Sequence, residues 1–557
     1  MVLPFFFVPI PERAEQELCR MDRVQRLEAL RQEIRYDLLV IGAGATGCGI
    51  AADAASRGLK VALIEQHDIA EGTSSRSTKL VHGGVRYLEM AVKKLNRAQY
   101  HLVKEGLFER GVLLQNAPHL ANPLALVTPL YSWMEVPYIY AGLLLYDVLA
   151  GRKGLGHSYV VGRQEALRRF PMLKREGLKA GVVYYDAQFN DARMAVTLAL
   201  TAQQHGAVVA NHLAAVALEK AGGKLCGARV RDALSGEEFS LRASGIINAA
   251  GPFVDSLRRL DDACAAPILN ASSGVHIILP ERFVPPETGL MIPKTEDGRV
   301  LFILPWQGHA LIGTTDNPAE IVDHPQARED DIEYLLQHVR QYFDIDVDRD
   351  EVTAVWSGLR PLVKAPETQN TAQLVREHLI QVSPSGLLTV AGGKWTSYRR
   401  MAEEAVDQAI QQFGCRPART CQTGNLRLVG AEQFDPANEG NLVKHHGLAA
   451  DVARHLHHAF GDQAARVAGL AQSGLGARLH PAHPFIEAEV VYAARHEFAE
   501  RAADVLIRRL PLGLLDNAAA RAALPRVVEL MAAERGWDQG RCHEEFSNSM
   551  RRLTVAI

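Results

Sequence analysis

The spacing of apolar residues changes at Tyr36. Upstream, residues 12–35 are charged, with leucines at helical intervals, and predict a surface helix leading into the core. Tyr36–Ile41 (YDLLVI) is an apolar run of strand length, Gly42–Gly47 a turn, Cys48–Arg57 an alanine-rich helix and Lys60–Glu65 (KVALIE) a second buried strand. That order predicts a β-α-β unit and therefore a parallel sheet. Residues 66–90 are rich in Ser, Thr and Gly, 91–116 predict a long amphipathic helix, and 118–160 are rich in Pro, Tyr and Leu. A second β-α-β-like stretch follows, with strands at 182–185 and 207–211 around a helix at 191–205. Residues 214–219 and 225–231 predict a β-ribbon, and 244–251 (SGIINAAG) another buried strand. Between 272 and 355, VHIIL, RVLFIL and ALIGT predict a mostly antiparallel region; 386–390 return as a strand and 395–412 as a helix. From 421 onward the period is helical, for example at 486–501 and 518–534. The fold class is thus α/β: a Rossmann-type parallel sheet interleaved with a mostly antiparallel domain, plus a C-terminal all-helical domain.

The turn Gly42-Ala-Gly44-Ala-Thr-Gly47 fits G-x-G-x-x-G between a strand and a helix. Gly42 permits the tight turn, Gly44 lets the backbone approach a pyrophosphate, and Gly47 lets the helix pack on the sheet. The pyrophosphate would lie on the helix N-terminus. Glu65, at the end of the next strand, is placed to accept hydrogen bonds from the adenosine ribose. Such a turn serves NAD or FAD. Its position near the chain start, and the long Ser/Gly-rich loop after the second strand, favour FAD.

Composition narrows the setting. The chain has 557 residues, 47% hydrophobic and 22% charged, with a formal net charge of -3, which gives no reason to expect nucleic acid as a partner. Seven scattered cysteines without a CxxC pair argue against a disulfide framework, and Cys48 reads as a small packing residue. No apolar run reaches the ~20 residues that span a bilayer. The stretch 130–151, LYSWMEVPYIYAGLLLYDVLAG, followed by Arg152 and Lys153, reads equally well as an interfacial anchor or as a buried support. No metal site is expected: His445, His446, His455, His457 and His458 lack a carboxylate or cysteine at ligand spacing and read as a solvated helix face.

Residues 72–88, GTSSRSTKLVHGGVRYL, resemble the flavin loop of FAD-dependent glycerol-3-phosphate dehydrogenases, in particular the mitochondrial type. Further matches run in order: 192–207 (ARMAVTLALTAQQHGA), 247–258 (INAAGPFVDSLR), 272–280 (SSGVHIILP), 304–316 (LPWQGHALIGTTD), 356–363 (WSGLRPLV) and 391–403 (AGGKWTSYRRMAE). They continue through 487–516 and 523–538, so the resemblance covers about residues 9–540. It implies an N-terminal extension (1–35), an oxidoreductase region (36–420) and a C-terminal helical domain (421–557). Within 36–420, segments 36–130, 181–271 and 356–420 are expected to bind FAD, and 131–180 and 272–355 to form the substrate domain. Animal mitochondrial members carry calcium-binding EF-hands; the only similar spacing here, from Asp344, has Arg349 and Val355 where the loop needs Gly and Glu, so no calcium control is expected.

The resemblance implies removal of a hydride from C2 of glycerol 3-phosphate to FAD, giving dihydroxyacetone phosphate. For the cofactor it points to Gly42, Gly44, Gly47 and Glu65; to Thr73, Ser74, Ser75, Ser77, Thr78 and Lys79; to His82, Gly83 and Gly84; to Ala249 and Gly251; and to Gly392 and Gly393, ahead of a helix N-terminus. For the substrate phosphate it points to Arg86, Arg360, Arg376 and Lys394, with hydroxyls from Tyr87 and Thr396. His276 is the first choice for the base, and Lys394, its pKa depressed by arginines, the second. His276, Lys394 and Arg360 form the expected catalytic set. Expected partners are glycerol 3-phosphate, a quinone and a membrane surface, mitochondrial inner or bacterial cytoplasmic, with a homodimer allowed. An oxidase that uses oxygen and a flavin-fold protein without turnover are the competing readings.

Overall fold

The computed structural model describes residues 21–32, 35–84, 97–293, 295, 299–364 and 378–554. Helix α1 (Arg23–Arg31) precedes β1 (Tyr36–Ile41), α2 (Ala45–Ser56) and β2 (Val61–Ile64). Next come β3 (Leu80–Val81), α3 (Arg97–Asn116), β4 (Ala121–Leu130), α4 (Glu135–Ala150), β5 (Tyr159–Gly162) and β6 (Ala180–Phe189). Helix α5 (Asp191–Gln204) leads to β7 (Val208–Ala210), β8 (Leu213–Ala221), β9 (Lys224–Asp232) and β10 (Glu238–Asn248). Strands β11 (Leu269–Pro280), β12 (Thr288–Ile292), β13 (Leu301–Trp306), β14 (His309–Gly313) and β15 (Asn317–Pro318) precede α6 (Glu329–Tyr342). The region closes with β16 (Ala354–Val363), β17 (His378–Val382), β18 (Leu387–Gly392) and α7 (Tyr398–Phe413). Beyond 421 the regular elements are helical, including α8 (Glu487–His496), α9 (Asn517–Arg535) and α10 (Gln539–Thr554).

The first sheet has the order β17-β18-β10-β1-β2-β7, with the β8–β9 ribbon continuing from β10. Strands β18, β10, β1, β2 and β7 are parallel neighbours. Helices α2, α5 and α7 cover one face through Ile50, Met194 and Met401; α1 seals the other through Leu27 and Leu30. The second sheet runs β15-β11-β14-β13-β12-β4-β6-β3, with β16 on β11 and β5 on β6, and is antiparallel except at β12–β4. Helix α6 packs on one face (Leu335, Leu336), and the C-terminal helices on the other, where Leu506 and Val527 meet Ile278 and Trp356.

Strands β4, β6 and β16 all belong to the second sheet, although their segments read from the sequence as part of the cofactor-binding region. The pattern of β6 shows the reason. It is buried along most of its length, and an apolar run reports burial without naming the partner strand. The histidine segment also differs from expectation. His455 and His457 are buried rather than solvated: His455 Nε2 lies 2.7 Å from Glu489, and His457 stacks on Phe434.

A buried ion network joins the C-terminal helices to the loop after β2. The Asp68 carboxylate accepts from Arg508 and, bidentately at 2.6 and 2.8 Å, from Arg509; Asp504 accepts from Arg508 at 2.8 Å and sits 2.9 Å from His212 Nε2. Asp68, His212 and Asp504 are the one group of metal-ligand type among the described residues, and the two guanidinium groups already supply its positive charge.

Helix α4 turns an apolar face outward. Leu143, Tyr146 and Ala150 are buried, whereas Trp133 (64%), Met134 (87%), Tyr138 (51%) and Val148 (68%) are exposed. Among the described residues no helix is long and apolar enough to cross a membrane.

Candidate active site

The site starts where β1 ends. Gly42 has φ +107°, and a Cβ there would lie 2.6 Å from the Ala249 carbonyl, so the turn packs directly on the end of β10, against Ala249 and Ala250, with Gly251 next in the chain. Helix α2 begins at Gly44 without a side-chain cap, and the Ala45 amide donates to Ser74 Oγ at 2.9 Å. Glu65 is half-buried and follows β2 directly. Its carboxylate accepts from the amides of Ala43 (2.8 Å) and His67 (3.0 Å), while burial pushes its pKa up. A close-packed glycine turn, a helix N-terminus without a side-chain cap and a carboxylate on the next strand fit the adenosine diphosphate half of FAD.

The loop after β2 links the two sheets. Thr73 Oγ1 donates to the Leu359 carbonyl on β16, and Trp395 Nε1 donates to the Ser74 carbonyl at 2.9 Å. Ser77 donates to Asp191 Oδ2 through its hydroxyl (2.7 Å) and its amide (3.0 Å). Lys79 is fully buried, with Nζ 2.6 Å from both Asp191 Oδ1 and the Ser75 carbonyl, and it lies over Trp306 and Trp356. The lysine side chain therefore braces the loop, and desolvation lowers its pKa against the pull of Asp191.

The register of β11 against β16 creates the polar pair. His276 faces Trp356, Gly274 faces Gly358 and Ser272 faces Arg360, so all six share one side of the sheet. Gly274 leaves the space that the Arg360 side chain crosses: a Cβ there would overlap the guanidinium and come within 2.6 Å of Thr314 Oγ1. Arg360 donates to Asp316 Oδ1 (3.0 Å), Thr314 Oγ1 (3.1 Å) and the Thr315 carbonyl (3.0 Å), which hold its fork in place. His276 stacks on Trp356 with centroids 5.2 Å apart, and its Nε2 lies 2.9 Å from Thr78 Oγ1. Its Nδ1 is buried with no hydrogen-bond partner among the described residues. Burial first, then the positive charges of Arg360 and Lys79, hold the imidazole well below its ordinary pKa, so it is neutral at neutral pH.

Gly392 and Gly393, both at positive φ, carry β18 into Lys394, a short helical turn at Trp395–Ser397 and then α7. Buried Thr396 donates to the His82 carbonyl at 3.2 Å, tying this joint to the His82-Gly83-Gly84 turn. Arg86, Tyr87 and Arg376 lie outside the described residues. Sequence reasoning missed the Lys79–Asp191 pair, the Trp306 and Trp356 rings and the partners of Arg360. Trp356 lay inside WSGLRPLV, and Trp306, Thr314 and Asp316 inside LPWQGHALIGTTD, but neither motif says which of its side chains meet.

Residues 37–404 match the family model of FAD dependent oxidoreductases, which defines the class, and 421–542 match the C-terminal domain of alpha-glycerophosphate oxidase. A mitochondrial glycerol-3-phosphate dehydrogenase of Rattus norvegicus is 46% identical over 95% of this chain and 75% of its own. One from Arabidopsis thaliana is 44% identical over 97% and 88%. The solved structure of the Bacillus halodurans glycerol-3-phosphate dehydrogenase, a complex with FAD, superposes with a TM-score of 0.79 at 28% identity, covering 96% of this chain and 97% of that one. The chain belongs to the FAD-dependent glycerol-3-phosphate dehydrogenases.

Proposed function

We propose that this enzyme oxidises C2 of sn-glycerol 3-phosphate to dihydroxyacetone phosphate at a membrane surface and passes the electrons to a quinone. The observation that carries the reading is a neutral, buried imidazole and a pre-held arginine fork on one side of the β11–β16 pair, beside the loop at 73–79. Arg360, with Arg86, Arg376 and Lys394, holds the phosphate, helped by the Tyr87 hydroxyl; the Thr396 hydroxyl, expected from the sequence to do the same, instead gives its proton to the His82 carbonyl and serves the flavin turn. His276 takes the C2 hydroxyl proton; Lys394 is the second candidate. Bound FAD supplies the two-electron acceptor for the C2 hydride. Gly42, Gly44, Gly47 and Glu65 hold its adenosine diphosphate half, and the loop Thr73–Lys79, with His82, Gly83, Gly84, Gly392 and Gly393, surrounds the ring. The helical turn after Gly393 would offer backbone amides to the reduced form of the bound ring.

The outward apolar face of α4, with Arg152 exposed at its end, is proposed as the surface that rests on an anionic bilayer, where a quinone is dissolved. The location would be the mitochondrial inner membrane or a bacterial cytoplasmic membrane. The test supplies glycerol 3-phosphate with a short-chain ubiquinone analogue or with oxygen alone. The expected result is dihydroxyacetone phosphate formed in step with quinone reduction and little peroxide. Peroxide equal to substrate consumed would instead establish the oxidase reading, which the match of 421–542 to an alpha-glycerophosphate oxidase domain supports.

A further inference from the structure

The peptide unit joining His82 to Gly83 is gripped at both poles. Its carbonyl accepts from Thr396 Oγ1 at 3.2 Å. Its N–H donates to Tyr146 Oη at 2.6 Å. Tyr146 is a fully buried residue of α4, and its hydroxyl in turn donates to Asp186 Oδ1 on β6 at 2.9 Å. The same carboxylate oxygen accepts from Arg110 Nη1 of α3 at 2.6 Å. Gly83 has no room to choose another position: a Cβ there would meet Leu107 within 2.7 Å, and Gly106 of α3 backs onto it. Four separated stretches of chain therefore converge on one peptide plane.

In this convergence the peptide's two poles, the Tyr146 hydroxyl and the Asp186 carboxylate are all hydrogen-bonded, which fixes one geometry for the peptide. The peptide stands between the loop at 73–79 and the segment that carries Arg86 and Tyr87. We infer that Tyr146 is a positioning residue for the reaction, acting with Thr396 to lock the His82–Gly83 peptide and so to set the flavin turn. Asp186 and Arg110 orient the tyrosine hydroxyl. The inference rests on the assignment of residues 73–84 to the flavin. It adds a residue more than sixty positions away in sequence that no cofactor motif contains.

The test is a double-mutant cycle of Tyr146→Phe and Thr396→Val in the FAD-loaded enzyme. Stopped-flow bleaching by glycerol 3-phosphate, the visible flavin spectrum, the KM and the melting temperature are measured together. Tyr146→Phe is expected to slow flavin reduction at least fivefold and shift the flavin absorption, with KM changed less than twofold. Because either change releases the same peptide, the double variant should be slowed by clearly less than the product of the two single effects. A purely structural tyrosine would lower the melting temperature and leave the reduction rate and spectrum unmoved, which overturns the inference, as do multiplicative effects. If Tyr146→Phe does not fold, Asp186→Asn keeps the tyrosine hydroxyl but removes its anionic acceptor; normal reduction in that variant also overturns it. Failure of the underlying assignment is separable: there, changes in the loop itself, Thr73→Val and Ser74→Ala, would leave the flavin spectrum and the reduction rate unmoved.

Discussion

At His276 the surroundings decide the chemistry. Burial and two nearby cations disfavour the protonated ring, so the neutral form, which can accept a proton, persists below the ordinary value of 6.5. Flavin reduction should therefore be constant through neutral pH and fall only below 6.5, as protonation removes the base; a fall beginning above 6.5 in a stopped-flow pH series would assign the limb to another group. His276→Gln is expected to slow the step about a hundredfold or more, and a normal rate would pass the role to Lys394. Arg360 tests the other half of the pair. If it holds the phosphate as proposed, its loss removes a charge-assisted contact of about 1.5–3 kcal/mol, so Arg360→Ala should raise KM at least about tenfold. Gly274→Ala should mimic it, because the added methyl enters the space the guanidinium crosses. Unchanged KM in Gly274→Ala, with the flavin spectrum intact, would mean that the fork need not lie where it does.

At the scale of elements, α4 poses the sharpest contrast. Its sequence is apolar almost throughout, and only the fold shows which side faces out: Leu143 and Tyr146 are inside, Tyr138, Leu144 and Val148 outside, with exposed Trp133 just ahead of the helix. Replacing Trp133 and Tyr138 with Ser should reduce sedimentation with anionic liposomes and slow quinone reduction, while turnover with a soluble dye persists. Unchanged liposome binding would place the docking surface elsewhere. The same helix explains what was legible beforehand. The turn at 42–47 and Glu65 could be read directly, because a β-α-β unit binds with residues close in sequence. His276 could be suspected as a lone histidine in an apolar strand. Asp316 and Thr314, which hold Arg360, could not be foreseen, since the contact is made between side chains more than forty residues apart. Tyr146 looked like one more apolar position. His455 and His457 looked solvated because three charged or polar neighbours hid a face that turns onto Phe434 and Phe485.

Across the whole molecule, the ion network at Asp68 holds the C-terminal helices to the first sheet. Removing one partner leaves buried charge uncompensated, so Arg508→Met should cost about 3–5 kcal/mol, read as a lower urea midpoint; an unchanged midpoint would show that the helices are held by apolar contact alone. The network also sets the acid limit. Glu71 and Asp504 are both held below their ordinary values against the desolvation of burial, Glu71 chiefly by Arg508, and Asp504 by its contact with His212 and then by Arg508. A depressed folded-state pKa gives stability that is complete above the ordinary values of 4.5 and 3.8 and is lost as pH falls beneath them, so acid unfolding should begin there and shift upward in Arg508→Met. The strand order has a consequence of another kind, for synthesis. The first sheet takes β1 and β2 from residues 36–64, but the neighbour that closes β10 on its other side is β18, at Leu387–Gly392. A nascent chain must therefore carry the open, apolar edge of β10 from residue 248 until residue 387 is made, with α7 also missing from the face of α2. Chains released at residue 386 should be found with chaperones or in the insoluble fraction, and a soluble, protease-resistant product of that length would contradict this order of assembly.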